Sequence, residues 1–184
     1  AINHSGKKHF FAYTTTPFNT EDVQHVCNDK SLIQDLVSRK VHMPKTKKYL
    51  RPDLDPSWHD KIEFGSEQGI VTDICHNFSF PLMVKMNAGS LGRNVFKCKD
   101  DVDVAKAVRE IFKEDWALLA QELIDKDKEF RVVIVNNVVE LVYYKGASEF
   151  FSKDSETFKD VADFLVPLKE CINLNWAGLD VIRD

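Results

Sequence analysis

The chain has 184 residues, 43% hydrophobic and 29% charged, with a formal net charge of −4 at pH 7. That is ordinary soluble globular composition, enough for one domain or two small lobes sharing a core. It offers no global basic field for nucleic acid or an anionic membrane, and no apolar run approaches the roughly 20 residues of a membrane helix. The N-terminus lacks a signal-peptide pattern, although the chain starts at Ala1 without a methionine, as a processed or trimmed end does.

Four cysteines (Cys27, Cys75, Cys98, Cys171) follow no CxxC or zinc-type spacing. They read as reduced thiols of a cytoplasmic protein. One local basic run, Lys40, Lys45, Lys47, Lys48 and Arg51, reads as a solvated strand edge or loop.

Residues 1–26 are mixed, with His9-Phe10-Phe11-Ala12-Tyr13 as a short strand candidate. Asn28 or Asp29 caps a helix to about Arg39, where Leu32, Ile33, Leu36 and Val37 fall at helical spacing. Pro44 limits it, and Lys45 to Leu50 follows as a strand. Residues 51–67, with Pro52, Pro56 and Gly65, form a connection, and Ser66 caps a helix containing Ile70, Val71, Ile74 and Cys75. Strands over 80–86 and 94–99 make a hairpin around a small-residue turn. The spacing over 101–112 predicts a helix burying Val102, Val104, Ala105, Val108, Ile111 and Phe112.

Strands over 116–123, 130–135 and 138–144 come next, the last two joined by Asn136-Asn137, which suits the positive φ angles of a type I′ turn. A helix over about 155–171, with Phe158, Val161, Ala162, Phe164, Leu165 and Leu168 for burial, leads to a final strand at 177–182. Hairpins clustered beside helices define an α+β fold rather than a doubly wound parallel sheet.

The turn after Lys85 carries the most chemical information. Gly89, Ser90 and Gly92 let backbone N–H groups approach phosphate oxygens, and Lys85 at the strand end supplies a fixed positive charge. There is no GK[ST] sequence leading into a helix, so this is not a Walker A loop. On its own it reads more readily as an ordinary hairpin turn.

The order of five short motifs goes further. Asn28-Asp29-Lys30 with Pro44-Lys45-Thr46, Pro81 to Val95, Ala120 to Ile124, Glu129-Phe130-Arg131-Val132, and Trp176 to Ile182 succeed one another along the chain. Together they resemble the ATP-grasp superfamily over residues 28–184, and are most similar to its glutathione-synthase and glutamate-tail-ligase branch. The resemblance implies two antiparallel-sheet lobes with helices, holding ATP between them, and a C–N ligase that joins a carboxylate to an amine through an acyl phosphate, using Mg2+.

It divides the chain into an N-terminal segment 1–27 of no assigned role, a lead-in segment 28–79, a small lobe 80–122 with the phosphate flap, and a large lobe 123–184. Lys30 and Lys85 would contact ATP phosphates, with Gly89, Ser90 and Gly92 as the flap. Gln121, Glu122, Leu123 and Ile124 would face adenine, and Glu129 would lie near the ribose. Arg131 and Lys145 would be the catalytic cations, and Asp180 a magnesium ligand. The plainer readings are an edge-strand carboxylate for Glu129, a cross-strand ion pair for Arg131, and a bare strand aspartate for Asp180.

The departures from the family pattern are Lys145 where arginine is common, a short 147–154 loop without the usual glycines, and no Glu-x-Asn pair by Asp184. The resemblance therefore implies a partial version of the fold, or part of a larger protein. Two other functions stay open: a non-catalytic ATP/ADP-binding module and a small-molecule kinase on the same fold. The expected partners are a small-molecule or peptide carboxylate and an amine acceptor, with neither nucleic acid nor membrane.

Overall fold

A computed structural model describes residues 18–89, 92–125, 128–147 and 150–183. In chain order its elements are α1 (Glu21–Asn28), α2 (Lys30–Val37), β1 (Thr46–Leu50), α3 (Glu67–Asn77), β2 (Leu82–Met86), β3 (Val95–Cys98) and α4 (Asp101–Phe112). Then follow β4 (Ala117–Glu122), β5 (Lys128–Val135), β6 (Val138–Tyr144), α5 (Glu156–Leu165), α6 (Leu168–Cys171) and β7 (Trp176–Arg183). Among the described residues, 28–125 form one compact unit, and 18–27 with 128–183 form the other. No described helix is long and apolar enough to cross a membrane. The His9–Tyr13 strand candidate and Ser90 lie outside the described residues.

In the 28–125 unit the sheet order is β1-β4-β2-β3, every neighbouring pair antiparallel. Side chains alternate across a strand. On β2, Leu82, Val84 and Met86 are buried while Met83 and Lys85 take the other face. The buried face packs with Ile70, Val71 and Ile74 of α3 and Val104, Val108 and Ile111 of α4. Each of these helices is capped as its sequence requires, Ser66 Oγ accepting from Gly69 N and an Asp100 carboxylate oxygen from Asp103 N.

One expectation for α4 fails. Val102 is 71% exposed, and Ala107 is buried in its place. Residue 102 lies about 200° round the helix from residue 104, so both cannot face one sheet.

In the other unit the sheet order is β6-β5-β7, again antiparallel. Asn136 and Asn137 take φ of 49° and 63°, as the β5–β6 turn demands. Asn137 is held further, its Oδ1 accepting from Leu174 N at 2.7 Å. Phe130, Val132, Ile134 and Val142 are buried on the sheet, and Phe158, Val161, Leu165 and Leu168 on the helices.

The helix expected over 155–171 is two, α5 and α6, separated at Val166-Pro167 because proline ends the ladder before it. The strand expected over 116–123 is β4, which pairs with β1 and β2. Finally, α1 was not legible as a helix. It buries no residue, and over eight residues its apolar positions, Val23, Val26 and Cys27, make too short a stripe to mark a helix.

Burial ranks the positions. Replacing Ile74, fully buried, by alanine should lower unfolding free energy by ~2–5 kcal/mol. Val102→Ala should change it by less than ~0.5 kcal/mol. Urea denaturation of both variants checks the contrast; equal losses would contradict this assignment of the core.

Candidate functional site

The 28–125 unit brings two of the sequence-identified lysines together. Lys85 stands on the face of β2 that points away from the core. Gln121 on β4 lies directly opposite Thr46 of β1 and Met83 of β2, so Thr46, Gln121 and Lys85 share that face. Their side chains form a relay. Lys85 Nζ donates to Gln121 Oε1 at 2.8 Å, Gln121 Nε2 donates to Thr46 Oγ1 at 2.8 Å, and Thr46 Oγ1 donates to Pro44 O at 2.9 Å.

Lys30 opens α2, and its ammonium donates to the carbonyls of Asn87 at 3.1 Å and Gly89 at 2.7 Å, beyond the end of β2. The backbone between these points is fastened. Asn87 Oδ1 accepts from Ser31 N, Asp29 bridges Ala88, and Asp115 Oδ2 accepts from Ala88 N. Asp115 also receives Trp116 N and Ala117 N through its other oxygen. Asn87 and Asp115 are both buried.

Neither had a role in the sequence reading. Asn87 sits one residue past an apolar strand, and Asp115 is a lone acid between a helix end and another such strand. Position was their only signal.

The electrostatics follow from this geometry. Burial pushes the Lys85 ammonium below the ordinary lysine value, and the neighbouring Lys30 charge pushes it further. Burial lowers Lys30 as well, partly offset by Asp115 and Asp29. These two are half-covered cations whose direct acceptors are carbonyl and amide oxygens.

The loop after β2 turns through Gly89 and Gly92, with φ of +124° and +73°, a region that disfavours side chains. Gln121 and Glu122 end β4, and residues 123–125, including the half-buried Leu123 and Ile124, continue outside the strand. Glu122 faces Lys45, its Oε1 accepting from Lys45 N at 2.6 Å.

In the other unit Glu129, Arg131, Lys145 and Asp180 converge. Arg131 and Asp180 are register partners on β5 and β7, with Arg131 Nη1 donating to Asp180 Oδ1 at 2.8 Å. Lys145 Nζ donates to Asp180 Oδ2 at 2.9 Å and to Glu129 Oε1 at 2.6 Å. The cross-strand ion pair that is the plain reading of Arg131 is therefore present.

Hydrogen bonds from Lys145 to Glu129 and Asp180 raise the lysine pKa. For Asp180, burial raises the carboxyl, but the bonds from Lys145 and Arg131 outweigh it and hold the group below its ordinary value. Each Asp180 oxygen already accepts a charge-assisted bond. No group of three His, Cys, Asp or Glu among the described residues could hold a metal ion. The described side chains do not by themselves make a magnesium site.

A glycine makes this cluster possible. A Cβ on Gly178 would lie 2.6 Å from Arg131 Nη2 and 3.0 Å from its Cζ, so the guanidinium occupies the space a side chain would take.

The same architecture occurs in solved structures. D-alanine-D-alanine ligase of Coxiella burnetii matches with TM-score 0.65 and 18% identity, covering 89% of this chain and 45% of that one. VanG D-Ala:D-Ser ligase of Enterococcus faecalis gives 0.68 and 17%, covering 89% and 50%. The RimK domain ATP-grasp protein of Sphaerobacter thermophilus gives 0.64 and 16%, covering 91% and 57%. The fold is thus ATP-grasp, as the motif order implies.

A RimK-like ATP-grasp domain model matches residues 62–155, half of the chain, and the chain belongs to that family. The matched stretch includes Lys85, the Gly89–Gly92 loop, Gln121, Arg131 and Lys145, and leaves Lys30 and Asp180 outside. An uncharacterized protein of Mycoplasma genitalium, MG012, is 23% identical over 167 residues, 85% of this chain and 56% of that protein. The chain spans about half the length of the relatives it matches.

Gly178→Ala should displace the Arg131 guanidinium with little loss of fold, because the crowded atoms end a flexible side chain. The Asp180 carboxyl should then titrate at higher pH, followed by its carboxylate carbon shift in NMR. An unchanged Asp180 titration would show that the guanidinium does not depend on this space.

Proposed function

We propose that this chain binds ATP by its phosphate tail at Lys30, Lys85 and the 87–92 loop, and serves an ATP-dependent carboxylate–amine ligase acting on an amino acid or peptide. The single observation that carries the reading is the pair of half-covered ammonium groups in the 28–125 unit, hydrogen-bonded to carbonyl and amide oxygens. Lys85 bonds an uncharged amide and Lys30 is only partly offset by Asp115 and Asp29, so a polyanion would supply further countercharge, and phosphates fit glycine-lined backbone beside lysine. The adenine end of the nucleotide is assigned to residues 121–124 and its ribose to Glu129, on family resemblance.

In this reading a substrate carboxylate oxygen attacks the γ-phosphorus, the bond to the bridging oxygen breaks, and ADP leaves. An amine then attacks the acyl carbon, loses a proton, and expels inorganic phosphate as the C–N bond forms. Lys30 and Lys85 hold and neutralise phosphate oxygens. Arg131 and Lys145 are suited to the negative charge of the carboxylate or the transferring phosphoryl group, on releasing Asp180 or Glu129. The protein contributes position and electrostatics rather than covalent chemistry.

Magnesium would accompany ATP, as is general for ATP-grasp ligases, with Asp180 as the one carboxylate this chain proposes for it. Free thiols at all four cysteines suit the cytoplasmic setting we propose.

A second reading, a nucleotide-binding module without catalysis, draws on the same cluster. Asp180 is engaged by two cations, and no metal-holding group occurs among the described residues. ATP titration with and without magnesium, followed for ADP release over an amino-acid panel, separates the two. Binding without ADP release favours the module; release that depends on one amino acid or peptide favours the ligase.

Lys85→Ala should weaken ATP binding by about 1–3 kcal/mol, the scale of a charge-assisted hydrogen bond. Unchanged affinity in calorimetry would remove the lysine from the site. The pH dependence has a definite sign. Burial, then Lys30, lowers the Lys85 pKa in the free protein, and a bound polyanion favours the charged form and raises it. ATP binding should therefore take up protons at alkaline pH below about 10.4, the free-lysine value, and weaken as pH rises through that window. Calorimetry in buffers of different ionisation enthalpy measures the uptake; proton release would contradict the assignment.

A further inference from the structure

We propose that Gln121 is a positioning residue of the phosphate site, an uncharged acceptor that fixes the Lys85 ammonium while leaving its positive charge free for an anion. This rests on the reading that Lys85 meets nucleotide phosphate. It adds to the adenine-facing role that family resemblance gives to backbone groups of 121–124, because the Gln121 side chain itself is committed to Lys85 and Thr46.

The relay dictates which end of the amide meets the lysine. Thr46 Oγ1 gives its own hydrogen to Pro44 O, at 2.9 Å, so toward Gln121 it can only accept. Gln121 must therefore present Nε2 to Thr46, at 2.8 Å, and its oxygen is left facing Lys85 Nζ at the same distance. The β1-β4-β2 order supports this, since Thr46 and Met83 flank Gln121 in register and Lys85 is two residues on from Met83. An amide oxygen directs the ammonium without cancelling it.

Other lysines in the chain illustrate the alternative. Lys47 donates to Glu63 and Asp73, and Lys145 to Glu129 and Asp180; carboxylates neutralise both. Lys85 instead has a neutral acceptor, and the charge that acts on it among the described residues is another cation, Lys30. A glutamate at position 121 would have nearly the same shape and would convert the relay into an ion pair.

The test is Gln121→Glu, alone and combined with Lys85→Met, with two readouts. In nucleotide-free protein, NMR titration of the Lys85 side chain should move to higher pH in Gln121→Glu, by about one unit for a charge at hydrogen-bond distance. ATP affinity should fall about tenfold in Gln121→Glu, and the same substitution should cost little more once Lys85 is methionine. A merely structural glutamine would lose stability without moving the lysine titration.

An unmoved Lys85 titration overturns the proposal, as does a tenfold loss that persists in the Lys85→Met background, which would assign Gln121 to another part of the ligand. Wild-type protein that binds no ATP, with Lys85 titrating as expected, overturns the nucleotide reading instead.

Discussion

Two like charges held side by side, each partly withdrawn from water, are the constraint around which the 28–125 unit is organised. Desolvating an ammonium group costs free energy, and placing a second one nearby adds to the cost. At Lys47 and Lys145 that cost is met by carboxylates. Lys85 is met by one amide, and Lys30 by two backbone carbonyls with Asp115 and Asp29 nearby, so Lys85 keeps the more uncompensated charge. The remainder of the unit, a four-stranded sheet backed by α3 and α4, supplies the apolar burial that offsets it.

The β5–β6–β7 unit solves a different problem with the same residue types. Two cations and two carboxylates there satisfy one another, and their half-exposed setting makes the pairing weak enough to exchange. Arg131 and Lys145 are therefore held in register without being buried out of reach. Their countercharge comes from carboxylates, whereas Lys85 in the other unit bonds an uncharged amide. Both states come from which oxygen stands two to three ångström away, not from the identity of the cation.

Much of the fold was legible because its signals are local. Asp29 and Ser66 cap helices, and Asn136-Asn137 permits a tight turn. Lys85 and Lys30 could be singled out too, one at a strand end before a glycine turn and one beside a helix cap. What could not be read depends on strand order. That Gln121 meets Lys85 requires β4 to lie between β1 and β2, and that Gly178 yields space to Arg131 requires β7 to lie beside β5. Val102 failed for a smaller reason: a run of valines in a helix cannot all face one side. Asp115 shows the limit most clearly, since its three backbone partners come from two places in the chain.

That aspartate has a mechanical consequence. By accepting Ala88 N through one oxygen and Trp116 N and Ala117 N through the other, it rivets the first residues after β2 to the root of β4. Asn87 adds a second rivet, to the start of α2. Next in the chain is Gly89, whose φ of +124° is open to glycine and strained for other residues. Lys30 clasps the carbonyl of that same residue, so this joint is fastened to the start of α2 as well.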